Sequence, residues 1–409
     1  MNSPRHMAPS HFQVTDDEIV VGGLRLSQLA ARVGRTPFYA HDRQLLKGRV
    51  QELRAVLPPA ISLHYAMKAN PMPALVAFMA NLVDGLDVAS GGELRVALDS
   101  GMAARNISFA GPGKSVQELS EAVASGILVN VESMREIELL EGISRKLRSP
   151  ARVAVRVNPD FELKSSGMKM GGGPKQFGID AEQVPAALSE IGRRGLAFEG
   201  FHIYSGSQNL RHASICDAQT QAFDLALRLG RHAPSPVKVL NLGGGFGIPY
   251  FAGEQPLELA PIGRHLAGIV ERAQREVAEI ELVIELGRYL VGEAGIYVCR
   301  VIDRKISRGE VFLVTDGGLH HHLAASGNFG QVIRKNYPVE IGNRVKGKIR
   351  EIASVVGPLC TPLDLIADKM DLAQASPDDL VVVFQSGAYG LTASPLGFLS
   401  HPAPAEILV

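Results

Sequence analysis

The sequence predicts a (β/α)8 TIM barrel followed by a C-terminal, mainly antiparallel β domain, an α/β plus β chain. Three observations lead there. Eight short β-rich runs, at 61–66, 84–88, 107–110, 127–131, 152–157, 198–203, 237–242 and 282–285, each follow a stretch with helical spacing. The runs are almost continuously apolar, as expected for parallel strands covered on both faces. After Glu285 the helical spacing stops, and segments such as 296–302, 311–315, 347–353 and 380–384 are separated by turns.

The helical stretches are 43–57, 73–82, 91–100, 115–125, 133–147, 181–194, 213–232 and 261–279. Ser115 with Glu118, and Ser133 with Glu136, read as N-caps with an acid three residues on. Gly101, Gly126 and Gly195 stand where left-handed C-caps belong. Eight such pairs over about 250 residues match a barrel; an open doubly wound sheet is the rival. The domains expected are 1–35, a segment contributing to the β domain; 36–285, the barrel; and 286–409, the β domain.

Composition narrows the function. The 409 residues carry 42 Lys plus Arg and 42 Asp plus Glu, a formal charge of zero. That balance offers no basic field for nucleic acid or a membrane surface. Three widely spaced cysteines argue against a disulfide framework and for a reducing compartment. Met1 to Phe12 has no apolar core of a signal peptide, and no run reaches membrane-spanning length. A cytoplasmic globular protein is expected.

Barrel chemistry collects at the C-terminal ends of the strands. Lys68 stands there in Met67-Lys68-Ala69-Asn70, with apolar neighbours that suit a Schiff-base lysine; a snorkelling lysine is the plainer alternative. His202 ends its strand ahead of Tyr204-Ser205-Gly206-Ser207, where an imidazole could stack on a flat cofactor and serines could hold a phosphate. Gly243-Gly244-Gly245 follows the next strand and opens backbone N–H groups to an anion, unless it is only a tight turn. Glu285-Leu286-Gly287-Arg288 supplies a carboxylate and a guanidinium, which could equally form a structural ion pair. Gly171-Gly172-Gly173-Pro174-Lys175 has no strand directly before it and reads as a mobile loop. His320-His321-His322 is not read as a metal site, because neighbours in a strand point to opposite faces.

In order and spacing, HYAMKAN, HIYSGSQ, NLGGGFG, ELGRYLV, GPLC and GAYG resemble the pyridoxal-phosphate decarboxylases of the diaminopimelate/ornithine decarboxylase family, over roughly residues 35 to 400. The resemblance implies pyridoxal 5′-phosphate as cofactor and a homodimer with shared active sites. It implies that Lys68 holds the cofactor as an internal aldimine and that His202 stacks on its ring. It places Asp87, Glu93 and Arg156 near the cofactor, and Ser205, Gly244, Gly245 and Gly287 in a phosphate cup with Arg288 and Tyr389 beside it. Glu285 would pair with the ring nitrogen, keeping it protonated and the ring a good electron sink; racemases of this fold have arginine there. Cys360 would return a proton to the α-carbon of the quinonoid. Cys216 and Cys299 read as ordinary small residues.

The chain departs from the family at Tyr204, where glycine is usual, at Leu286, where proline is common, and at Thr361, where an acid usually holds the substrate's distal amine. Thr361, Asp364, Arg288 and Tyr389 are the substrate-contact candidates. The Cys360-Thr361-Pro362-Leu363-Asp364 run looks like relatives from exopolysaccharide or secondary-metabolism clusters. Decarboxylation of a free amino acid of the diaminopimelate type is the first expectation. A carrier-linked amino acid such as a glutamyl-carrier protein, with an acyl carrier protein as partner, is the alternative. A racemase and a non-catalytic cofactor-binding protein are the remaining rivals.

Overall fold

Eight parallel strands close on themselves in the computed structural model, which describes residues 11–161, 168–169, 171–277, 279–329, 331 and 334–409. They are β1 Ile61–Ala66, β2 Gly85–Val88, β3 Ile107–Phe109, β4 Leu128–Val131, β5 Arg152–Asn158, β6 Ala197–Ile203, β7 Val239–Gly244 and β8 Glu281–Leu286. Each pairs with the next, β8 pairs with β1 and β4 with β5, so the sheet has no open gap and the doubly wound alternative falls. Short Ile179–Asp180 adds to β5 after the barrel turn.

The helices between these strands begin where the caps lie. Ser115 Oγ accepts from Glu118 N while Glu118 reaches back to Ser115 N, a full capping box. Ser133 caps Glu136 N, but the Glu136 side chain turns inward to a buried lysine and to Glu132 N. Gly126 ends its helix in the left-handed region.

The chain divides into two compact units. The barrel unit comprises Arg49–Ile248 and Pro256–Tyr289, and the second comprises Met1–Gly48, Pro249–Gln255 and Leu290–Val409. Its sheet runs Val339–Ile341, Leu380–Val383, Gly295–Ser307, Glu310–Thr315, Arg350–Val356, Leu365–Ala373. The pairings are antiparallel except Glu310–Thr315 with Arg350–Val356 and Ala405–Leu408 with Phe38–His41. Phe38–His41, past the expected barrel start at residue 36, pairs with Gly295–Ser307 in this second sheet. Of the expected N-terminal segment 1–35, residues 1–10 lie outside the described residues. Phe12, Ile19, Val21, Leu26 and Leu29 share a core with Phe38, Ile296, Val298, Val382 and Phe384. Among the described residues no helix is long and apolar enough to cross a membrane.

Candidate active site

Strand β1 hands directly into a single 3-10 turn, Met67–Ala69. Tyr65 Oη donates to Asn70 O at 2.8 Å, pinning that turn to the strand. The turn buries Met67 and Ala69 and leaves Lys68 exposed between them. Beyond β2, Glu93 accepts from Ala89 N at 2.7 Å. Burial raises the Glu93 carboxyl above its ordinary range, against the pull of that amide and of the Lys68 charge.

Glu285, near the end of β8, is 6% exposed. Its Oε2 meets His202 Nε2 of β6 at 3.0 Å and Asn241 Nδ2 of β7 at 3.3 Å. Burial acts to raise its carboxyl, but the His202 hydrogen bond and the His202, Lys68 and Arg156 charges outweigh it and hold the group at about 2. Glu285 is therefore a fixed negative charge at neutral pH. The other ring nitrogen of buried His202, Nδ1, has no hydrogen-bond partner among the described residues.

A second polar line crosses neighbouring strands. His64 Nδ1 lies 3.1 Å from Asp87 Oδ1, Ser108 Oγ donates to the same oxygen at 2.6 Å, and Asn130 Nδ2 donates to Ser108 Oγ at 3.1 Å. These residues stand on β1, β2, β3 and β4 in turn. Gly85 makes room for the line, because a Cβ there would fall 2.4 Å from His64 Nε2. Burial works against a charged His64, yet Asp87 prevails and raises it above its ordinary value. Asp87 Oδ2 is buried without a partner among the described residues.

Arg156, on β5, is ion-paired to Glu132 at 2.8 Å, with side chains 7% and 1% exposed. Glu132 also accepts from Gly111 N and Gly178 N, and the Arg156 guanidinium stacks on Phe177 at 4.8 Å. Behind it, buried Lys114 donates to Gly111 O, Asn130 O and Glu136. Burial pushes the Lys114 amine down, its acidic partners notwithstanding.

The C-terminal end of β7 and the residue after it are built for a close approach. Gly243 and Gly245 have φ of +71° and +72°, and a Cβ on Gly244 or Gly245 would fall 2.1 Å from Glu285 O or Gly206 O. Gly287 has a looser margin, a Cβ there falling 3.0 Å from Ala66 O. Ser205 is buried at the end of β6, and Arg288 follows Gly287 at the end of β8. Side-chain-free backbone, a buried anion opposite an imidazole with an open nitrogen, and an exposed lysine fit pyridoxal 5′-phosphate.

Lys68, Asp87, Arg156, His202, Ser205, Gly244, Gly245, Glu285, Gly287 and Arg288 thus all belong to the barrel unit, and Cys360, Thr361, Asp364 and Tyr389 to the other. There Cys360 is exposed, Cys299 buried and Cys216, in the barrel unit, intermediate. The Asp364 carboxylate is 3% exposed and accepts from Leu319 N at 2.6 Å and Leu359 N at 2.9 Å. Each Asp364 oxygen is thus held by one backbone amide, and the pair ties the loop around Cys360 together. Thr361 Oγ1 accepts from Leu363 N, and Tyr389 sits at φ +54° with its ring 6.4 Å from Phe329.

Two readings change. His320–His322 lies in a turn outside the strands, and the rings of His320 and His321 approach to 3.6 Å, so opposite strand faces do not describe it. Among the described residues no group of three or more His, Cys, Asp or Glu is placed to hold a metal. The glycine run expected to be mobile is tied down, since Asn158 donates to Gly173 O and accepts from Gly172 N.

Sequence reasoning missed His64, Ser108, Asn130, Asn241 and Glu132. Most had a signal: a lone polar residue inside an apolar strand, as in Leu128-Val129-Asn130-Val131, points into the barrel and needs a partner there.

A family model described as pyridoxal-dependent decarboxylase, pyridoxal binding domain, matches residues 43–292. The L-glutamyl-(BtrI acyl-carrier protein) decarboxylase of Niallia circulans is 41% identical over 91% of this chain and 88% of its own length. The diaminopimelate decarboxylase of Aquifex aeolicus is 31% identical over 98% of this chain and 92% of its own. In fold, the diaminopimelate decarboxylase of M. jannaschii, solved in complex with L-lysine, superposes with a TM-score of 0.88 at 24% identity, covering 98% of this chain and 93% of that one.

Proposed function

The chain belongs to the pyridoxal-dependent decarboxylase family and is a pyridoxal-phosphate-dependent carboxy-lyase, and we propose that its substrate is a glutamyl group borne on an acyl-carrier protein. The observation that carries this reading is the state of the loop around Cys360. Position 361 is a neutral threonine, and the neighbouring Asp364 has both oxygens on backbone amides. That loop therefore offers no free carboxylate to a distal ammonium. Burying an ammonium without a partner costs about 3–5 kcal/mol, so ornithine and lysine are disfavoured by roughly a hundredfold or more. A thioester tail carries no charge and meets no such penalty. The α-carboxylate must be free to leave, so the carrier is joined through the side-chain carboxyl. The Niallia relative, whose name states such a substrate, supports the reading.

Lys68 would hold the cofactor's aldehyde carbon, Glu285 its ring nitrogen, and Ser205, Gly244, Gly245 and Gly287 its phosphate, with Arg288 and Tyr389 alongside. Bound there, the cofactor supplies the electron sink for the electron pair that CO2 leaves behind. Glu285 keeps its negative charge throughout the working pH range, which favours a protonated partner nitrogen. His202 is tied through Nε2 to Glu285 and would stack on the cofactor's ring. Asp87 and Arg156 are each fixed by a buried partner, His64 and Glu132, and keep their orientation. Cys360, exposed on its loop, is assigned the proton delivered to the α-carbon. The working unit is read as a homodimer with shared active sites, the arrangement the family resemblance implies.

The test is CO2 release measured side by side on a glutamyl-carrier thioester, meso-diaminopimelate, ornithine, lysine and free glutamate. The thioester is expected to give the highest kcat/KM. Preferred turnover of ornithine would show that another acid supplies the missing charge. Preferred turnover of diaminopimelate would establish the second reading, which the Aquifex relative supports and in which Arg288 meets the distal carboxylate.

A further inference from the structure

Tyr204 directly follows β6, and the structure gives its ring a defined place. The Lys68 Nζ lies 5.8 Å from the centroid of that ring, over its face. The ring meets His202 edge-on, with centroids 6.4 Å apart and planes at 62°. Its third neighbour is the C-terminal end of β7, where a Cβ on Gly243 would come within 3.1 Å of Tyr204 Cδ2. The glycine leaves the space that the ring occupies. Tyr204 is half-buried in this position, between the lysine that takes the cofactor and the imidazole beside it.

An ammonium within about 6 Å of an aromatic centroid is attracted by the ring's quadrupole, and the neutral amine is not. We propose that Tyr204 is a positioning residue for Lys68: its ring holds the charged side chain and, beside the carboxylates of Glu93 and Glu285 whose charges also act on Lys68, shifts the pH at which the amine is released to capture the cofactor. In that capture Nζ first releases one proton to solvent. Its lone pair then bonds to the aldehyde carbon, and the aldehyde oxygen leaves as water with the two hydrogens remaining on nitrogen. No oxidant or reductant is involved. The inference rests on family membership and on the cofactor, and is independent of the substrate reading above; the carrier thioester can fail as substrate while this stands, and the reverse.

The experiment strips the full-length chain of its cofactor and follows uptake of pyridoxal 5′-phosphate by visible absorbance across a pH series. Tyr204→Leu keeps an apolar side chain but removes the π face. It is expected to move the midpoint of the uptake rate down by about half a pH unit, a two- to five-fold faster uptake at fixed pH below the midpoint. Tyr204→Phe is expected to leave the midpoint in place, and Tyr204→Trp, with the stronger face, to move it up. The proposal is overturned if Leu overlays the wild type, or if Phe moves as far as Leu, which would assign the effect to the hydroxyl. A fall in the amount of cofactor bound with an unmoved midpoint also overturns it, since that is what mere support of the fold would do. Should the Leu variant not fold, the Phe and Trp variants keep the ring and decide the matter: an unmoved Trp midpoint sinks the proposal.

Discussion

His202 on β6 and Glu285 on β8 meet at 3.0 Å across the intervening strand, with Asn241 of β7 joining the same carboxylate oxygen. The pair gives the barrel a permanent negative charge with an imidazole held beside it. Glu285→Gln keeps the shape and removes the charge. CO2 release is expected to fall by about a hundredfold or more, as when a preorganised electrostatic contact is lost. The stability difference between wild type and variant has a defined sign with pH. The folded carboxyl stands at about 2, below its ordinary 4.5, so its contribution is complete above the ordinary value and fades as pH falls toward 2. Denaturant titrations of both proteins from pH 7 to 2 measure this; a difference that grows on acidification would refute the assignment.

Asp364 is expected to act on stability. Asp364→Asn turns one acceptor into a donor facing a backbone N–H, leaving a buried amide unsatisfied at a cost of about 1–3 kcal/mol. Urea unfolding of the full chain should show that loss. If stability is unchanged and only the KM for a cationic amino acid rises, Asp364 contacts substrate after all.

Arg156 and Glu132 should behave as one unit. Either Arg156→Met or Glu132→Gln alone strands a buried charge and is expected to cost about 3–5 kcal/mol. The double variant is expected to cost less than the sum by about 1–3 kcal/mol. Additive losses in a double-mutant cycle would mean that the two side chains are stabilised by their other neighbours, Phe177 and the amides of Gly111 and Gly178.

If the homodimer shares its active sites, two dead proteins can repair one another. Lys68→Ala mixed with Cys360→Ala, after subunit exchange, is expected to recover a fraction of the activity, because one of the two sites in a mixed dimer is intact. A mixture that stays inactive while exchange is demonstrated places Lys68 and Cys360 of one chain in the same site.

Much of this was legible in the residues themselves. The eight strands, the Ser115 capping box and the left-handed glycines follow from side-chain periodicity and local backbone sterics, which act over a few residues. Lys68, His202, the glycines at the end of β7 and Glu285 were found because a barrel puts its chemistry at strand ends. Other features had no local signal. Nothing near Asp364 indicates that Leu319 N, far back in the chain, takes its carboxylate. Phe38–His41 looks like any apolar strand until its partner, Gly295–Ser307, is known. The line from His64 through Asp87 and Ser108 to Asn130 exists only because four successive strands lie side by side.

By itself, the sequence determined the order of helices and strands, the positions at which reactive side chains emerge, and the family to which their pattern belongs. Which of those side chains are free to act was decided by the tertiary structure alone. Barrel closure sets Lys68 against Tyr204 and His202 against Glu285, pairs far apart in the chain and on different strands of the sheet. A buried charge or imidazole takes its properties from whatever lies within a few ångströms, and for these residues those neighbours come from distant parts of the sequence.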